Sequence, residues 1–322
     1  MAMVALPALT LLAALLTWGA QRYAMHRQLL DHPGERRSHR IATPRGGGIA
    51  IVLSVLLASV AGAFLYPGTA RVLLLFALGL LMVAGIGWWD DHRPLPAIRR
   101  LLVHMLASAL LAGLVWQASG NLLQAVLVFL VATALVNLWN FMDGINGIAA
   151  SQALVAALGF AAVLPWPLSL AALALAAACL GFLPFNFPRA RIFMGDVGSG
   201  ALGYLLAALG ALASVATDIG WLALLAPLSV FIVDAGFTLL CRMLSGQRWM
   251  EPHTQHVYQR AVKAGFSHAR VTGVYILLGL LGSAVLVASV RLPPWQQAGA
   301  TVAWGLVLVC LWGVMRIRLR NL

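Results

Sequence analysis

Charge is scarce in this sequence. Asp, Glu, Lys and Arg make up 9% of its 322 residues, against 62% hydrophobic residues. That excludes an ordinary soluble domain, which would have too little polar surface to present to water. Cysteine is also rare. Cys179, Cys241 and Cys310 fall within or beside apolar runs, with no metal-ligand spacing and no extracellular disulfide framework. They read as small packing residues. Linkers, low-complexity tracts and internal repeats are missing too, so residues 1–322 are expected to form one integral-membrane domain.

What is abundant is apolar sequence in long runs. A helix needs about 20 apolar residues to cross a bilayer, and in lipid the backbone must satisfy its own hydrogen bonds. The runs lack period-two alternation, so they predict helices. The expected fold is all-α and polytopic, with about eleven transmembrane helices: 2–20, 47–65, 72–89, 101–118, 122–140, 145–164, 168–185, 198–216, 219–241, 271–290 and 297–315. The first run has no Lys or Arg before Gln21 and no small-residue cleavage pattern, so it reads as a retained helix.

A net charge of +12 could suggest nucleic acid, but its distribution points elsewhere. Of 21 Lys and Arg residues, all but Arg71 and Arg291 fall on one side of the predicted spans. By the positive-inside rule that side is cytoplasmic, with the N-terminus outside and the C-terminus inside. The expected location is a membrane crossed many times, with no nucleic-acid partner and a basic face suited to anionic lipid or substrate. The acids say more, because topology does not require them. Of the nine, Asp31, Glu35, Asp90, Asp91, Asp143, Asp196 and Glu251 lie on the cytoplasmic side. Asp218 lies outside, and Asp234 lies within a span near its cytoplasmic end. All eight histidines are on or near the cytoplasmic side, so the active site is expected there.

Five segments could carry chemistry, each with a plainer reading, which for the last two is an ordinary solvated loop and an ordinary basic loop before a helix. In "WWDDHR", Asp90 and Asp91 end a span. Either they are solvated acids paired with Arg93, Arg99 or Arg100, or they do two separate jobs, since adjacent helical residues point about 100° apart. In "NLWNFMDGINGI", Asn137, Asn140 and Asp143 recur at helical spacing before Gly144 and Gly147. Their oxygens suit a hard cation such as Mg²⁺, and helix capping is the plain alternative. In "FMGDVGSG", Asp196 between glycines is either an N-cap or a metal-binding carboxylate in a loop open to phosphate. In "PHTQHVYQR", His253 and His256 suit diphosphate contact better than zinc, since no further ligand completes a zinc site. In "RRSHRIATPRGGG", Arg40, Arg45 and three glycines could cradle phosphate.

Together, in this order from Thr43 to Arg260, the segments resemble the polyprenyl-phosphate N-acetylhexosamine-1-phosphate transferase family. The resemblance implies a helical membrane enzyme with a cytoplasmic active site. It would move N-acetylhexosamine-1-phosphate from a UDP-sugar to undecaprenyl or another polyprenyl phosphate, releasing UMP. It implies Mg²⁺, with Mn²⁺ as the alternative ion, on Asn140 and Asp196. It makes Asp90 and Asp91 the essential acidic pair and places Asp143, His253 and His256 among the catalytic residues. Asn146 falls at the uridine contact, and Arg45 joins it as a donor contact. Thr254 and Gln255 separate the two histidines, so the peptidoglycan branch fits less well than enzymes that begin O-antigen or related surface polysaccharides. The partners implied are the acceptor lipid, the UDP-sugar and the bilayer, with a second copy of the chain as a further candidate.

A lipid-linked saccharide flippase or other transporter is the rival class, and a peptidoglycan-precursor phospho-sugar transferase is the rival within the family. Transporters place ionisable groups near the midplane, and here only Asp234 comes close. CDP-alcohol phosphotransferases and aromatic prenyltransferases need Asp series at short helical spacing that this chain lacks. The topology makes a direct prediction. A single cysteine at position 68 should label with an impermeant reagent from outside, and one at position 256 should label only after permeabilisation. The reverse pattern would remove the site from the cytoplasmic face.

Overall fold

The computed structural model describes residues 2–32, 41–247 and 253–319. Arg40, grouped above with Arg45, lies outside them, as do Glu35 and Glu251.

The described chain is an antiparallel helical bundle with one minimal strand pair. In order it forms α1 (Ala2–His26), β1 (Leu30–Asp31), β2 (Thr43–Pro44), α2 (Ile49–Leu65), α3 (Ala70–His92), α4 (Ala97–Ser119), α5 (Leu122–Met142), α6 (Ile148–Val163) and α7 (Ser169–Asn186). There follow α8 (Asp196–Ala216), α9 (Trp221–Leu224), α10 (Ser229–Leu244), α11 (Val257–Lys263), α12 (His268–Ser289) and α13 (Pro294–Arg318). Each of the eleven predicted spans falls on a helical segment. Among the described residues, eight segments are long and apolar enough to cross a membrane, and α2 and α6 are shorter apolar helices of 17 and 16 residues. The chain is thus an all-α, multi-pass membrane protein.

Three details differ from expectation. The span predicted over 219–241 is broken at Pro227, which removes a backbone donor, so a 3-10 turn (Ala226–Leu228) separates α9 from α10. The region 242–270, read as loop, contains α11. The two-residue strands pair antiparallel, Leu30 with Pro44 and Asp31 with Thr43.

The helix α8 is the axis of the bundle. It packs against α3, α5, α6 and α4 and is buried along almost its whole length. Its Gly and Ala residues make that possible, because helices in lipid associate through close backbone approach more than through hydrophobic force. A Cβ on Gly203 would land on the Leu135 carbonyl of α5, one on Gly87 of α3 on the Asp196 carbonyl, and one on Gly48 on the Gly198 Cα. Around this small-residue centre the outer helices present large apolar side chains such as Leu57, Leu81, Leu106 and Leu306 to the lipid.

Gly87 therefore fixes where α8 begins relative to α3. Gly87→Ala is expected to destabilise the protein by about 1–3 kcal/mol through overpacking and to displace the start of α8. Gly85→Ala, two residues away where nothing lies within 4 Å of the added methyl, should be neutral or stabilising by up to about 1 kcal/mol. Thermal unfolding of the two variants in detergent checks the contrast; equal melting would refute it.

Candidate active site

The first turn of α8 begins beside the end of α3. Gly195, at φ 76°, turns the chain into α8 and offers no capping side chain. The Asp91 carboxylate supplies the cap instead. Its Oδ1 accepts the Asp196 amide and its Oδ2 the Val197 amide, both at 3.1 Å. A Cβ at Gly195 would collide with this carboxylate, so glycine is needed there for both its φ and its size. Asp91 is 3% exposed and works inside the protein.

This arrangement answers the question left open for Asp196. Asp196 is the first residue of α8, but Asp91 does the capping, which leaves the Asp196 carboxylate free to face outward. It meets the Arg100 guanidinium of α4. Arg100 also pairs with Asp90 Oδ2 at 2.9 Å, while Asp90 Oδ1 accepts the Leu95 amide at 2.6 Å and secures the turn into α4. The adjacent acids thus do two jobs: Asp91 sets α8, and Asp90 sets Arg100 and the α3–α4 turn. Arg100, named above only as one pairing candidate, is the bridge between Asp90 and Asp196.

The glycine triplet also serves α8. The amides of Gly47 and Gly48 donate to the carbonyls of Phe193 and Met194 at 2.9 and 2.8 Å, and the Phe193 amide donates to Pro44 at 2.7 Å. The segment expected to cradle phosphate is joined at Pro44, Gly47 and Gly48 to "FMGD". Arg45 at its head donates to the Asp91 carbonyl and faces the cavity described next.

A cavity of about 650 Å³ opens at this end of the bundle. Asp90, Asp91, Asp143, Asp196, Asn140, Arg45, Arg100 and His253 all line it. Asn140 donates to Ser199 Oγ at 2.9 Å. Ser199, a turn after Asp196 on α8, was not foreseen, although i, i+3 spacing from Asp196 is its signal. Asp31, which carried no motif, also lines the wall, as does Gln259, which lies in "PHTQHVYQR" but was not singled out there. Asp143, at the C-cap of α5, is pushed up to about 7 by desolvation and then by the negative charges of Asp196 and Asp91.

Three sequence candidates stand apart from the cavity lining. Asn137 turns back to the Thr133 carbonyl at 2.7 Å. Asn146 donates to the Pro188 carbonyl at 3.0 Å, on the far side of the Gly144–Gly147 turn from Asp143. His256 is buried behind His253, with the ring centroids 4.8 Å apart. Desolvation lowers both histidines, His253 to about 4. Each is a neutral imidazole near pH 7, suited to hydrogen bonding rather than to carrying charge.

Comparison with known proteins places this site in context. Residues 73–214 match the model of glycosyl transferase family 4. A decaprenyl-phosphate N-acetylglucosaminephosphotransferase of Mycobacterium tuberculosis is 31% identical over 302 residues, covering 78% of this chain and 73% of that protein. A probable undecaprenyl-phosphate N-acetylglucosaminyl 1-phosphate transferase of Bacillus subtilis is 29% identical, covering 82% and 78%. A phospho-N-acetylmuramoyl-pentapeptide-transferase of Synechococcus is 29% identical, covering 85% of each chain. The chain belongs to the polyprenyl-phosphate N-acetylhexosamine-1-phosphate transferase family. The matched region runs from α3 to the end of α8 and so contains Asp90, Asp91, Asn140, Asp143 and Asp196 in one stretch.

In this transferase the acidic pair should fail in two different ways. Asp91→Asn turns one capping oxygen into a donor facing an amide, so it should lower stability by about 1–3 kcal/mol and activity with it. Asp90→Asn keeps an oxygen for the Leu95 amide and loses one partly buried ion pair, so it should cost less, about 1 kcal/mol or below, yet reduce turnover by loosening the hold on Arg100. Parallel melting and transfer assays check this; a stability loss at Asp90 with none at Asp91 would reverse the assignment.

Proposed function

We propose that this chain transfers N-acetylhexosamine-1-phosphate from a UDP-sugar to undecaprenyl or another polyprenyl phosphate, releasing UMP. The observation that carries the reading is the Asp196 carboxylate. It is held at the mouth of a polar cavity at one end of a lipid-facing bundle, and it is relieved of capping by Asp91. An acceptor with its tail in lipid and a donor dissolved in water meet only at such a boundary.

The cavity's charge supports a divalent cation. Four carboxylates, those of Asp90, Asp91, Asp143 and Asp196, line it against two guanidiniums, those of Arg45 and Arg100. Both proposed substrates are anions and would be repelled by that excess. Asp196 and Asn140 offer hard oxygen donors of the kind Mg²⁺ prefers, with Asp143 close enough to feel the Asp196 charge. Mg²⁺, or Mn²⁺ in its place, would supply charge neutralisation for the diphosphate and the departing UMP when bound.

The chain's own residues then position the reactants. Arg45, bonded to the Asp91 carbonyl, and Arg100, paired with Asp90 and Asp196, suit phosphate oxygens of donor and acceptor. An acceptor phosphate oxygen would bond to the sugar-bearing phosphorus as the bond to UMP breaks. A phosphate monoester has a second pKa of about 6, so the acceptor is largely dianionic at neutral pH and Asp90 need not remove a proton. Asp90 acts through Arg100, and His253 offers a neutral hydrogen-bonding face.

Within this class we favour initiation of O-antigen or a related surface polysaccharide at the cytoplasmic face of the inner membrane. The spacing of His253 and His256 by Thr254 and Gln255 supports it. Transfer of a peptidoglycan precursor is the second reading, favoured by the phospho-N-acetylmuramoyl-pentapeptide-transferase relatives. Purified protein assayed with a panel of UDP-N-acetylhexosamines and the UDP-muramoyl-pentapeptide separates them. Asp196→Asn should remain folded, because Asp91 still caps α8, and should lose transfer by about 10²-fold or more. Near-normal turnover in that variant would defeat the proposed role of Asp196.

A further inference from the structure

Asp234 sits within α10, in a membrane-spanning segment where a charge is costly. Its carboxylate is 3% exposed and gathers donors from four helices. Oδ1 accepts the Val257 amide at 2.8 Å, Trp312 Nε1 at 3.3 Å and the Thr238 hydroxyl at 3.4 Å. Oδ2 accepts the Tyr275 hydroxyl at 2.6 Å and the Tyr258 amide at 3.3 Å.

The two amides are the first two of α11. The N-cap residue of that helix, His256, makes no side-chain cap, so a neighbouring helix meets donors that would otherwise be orphaned. What α11 carries is the far wall of the cavity. Tyr258 and Gln259 line it, as does His253 just before the helix. The Tyr258 hydroxyl donates to the Phe141 carbonyl at 3.0 Å, two residues from Asp143. The His256 ring stacks on Tyr258 with centroids 5.8 Å apart. The fold alone does not require this acid. The helices α10 and α13 also meet through Phe237 and Trp312, with ring centroids 5.6 Å apart, and buried ionic groups are often replaceable by apolar ones without loss of stability. Among the described residues, it is Asp234 that accepts the leading α11 amides.

We infer that Asp234 is a positioning residue of the active site, holding the start of α11 so that His253, Tyr258 and Gln259 face the acidic side of the cavity. The inference rests on the transferase reading above.

Two substitutions separate this role from a purely structural one. Asp234→Asn keeps the shape but turns an acceptor into a donor. Val257→Pro removes only the amide that Asp234 holds closest. Proline suits the first helical position, and His256 at ψ 148° already has the backbone that precedes proline well. Both are measured in the full chain in lipid nanodiscs. For each, kcat/KM for the UDP-sugar should fall roughly ten-fold, with faster amide hydrogen exchange over 258–263 and the exchange at the start of α8 unchanged. In a His253→Gln background either substitution should cost little more, since the loss travels through the same segment. Wild-type kcat/KM in Val257→Pro, or losses that multiply with His253→Gln, overturns the inference, and Val257→Pro decides alone if Asp234→Asn does not fold. A wild-type chain that transfers no phospho-sugar defeats the transferase reading instead, whereas unchanged exchange over 258–263 in Val257→Pro overturns the positioning role whatever the activity.

Discussion

Two amides at the start of α8, those of Asp196 and Val197, have no partner in their own helix and meet the Asp91 carboxylate at 3.1 Å. In water such donors could be left to solvent. At the end of a buried helix they cannot, and an unpaired buried donor costs about 1–3 kcal/mol. The cap comes from another helix, so it does more than satisfy hydrogen bonds. It locks the end of α3 to the start of α8 and leaves Asp196 free for the cavity. Arg45 then reaches the Asp91 carbonyl, and Arg100 reaches Asp196 while also paired with Asp90.

That contact needs close backbones, which explains the small residues around it. Gly87 lies against the Asp196 carbonyl, Gly48 against Gly198, and Gly195 against the Asp91 carboxylate. Each is a place where a methyl group would push apart two elements of the site. Lower in the bundle Gly203 plays the same part against α5. Gly48 of "RGGG" and Gly198 of "MGDVGSG" explain each other, since each is the surface the other packs on. Hydrogen bonds between residues 44–48 and 193–194 complete the match.

The spans were legible because apolar run length is set by the bilayer and survives any detail of packing. The acids were legible as a one-sided set because the spans tolerate so few charges. What escaped is whatever depends on partners distant in sequence. The face proposed for Asn137, Asn140 and Asp143 divides because α5 ends at Met142, so Asp143 leaves the helical register while Asn137 bonds back to its own helix. Asp196 looked like an N-cap because its own neighbours are all that local sequence displays, and its cap lies 105 residues away. The helix α11 was invisible for the same reason. Seven residues in a polar stretch do not sustain a helix, and the carboxylate that secures it stands in α10.

Asp91 and Asp234 are thus the same device used twice, and it constrains how phosphate can be held. A helix N-terminus with open amides attracts anions through those donors and the helix dipole. Here the leading amides of α8 and of α11 are already taken by carboxylates. Neither helix can greet a diphosphate as a glycine-rich phosphate loop would, and the glycines before α8 are committed to packing. Among the described residues that line the cavity, attraction for an anionic donor comes instead from Arg45 and Arg100, with the cation proposed on Asp196. The acids that look hostile to such a substrate are what hold those positive groups in place. Removing acids to make the cavity more welcoming would therefore remove the site's affinity for phosphate along with them.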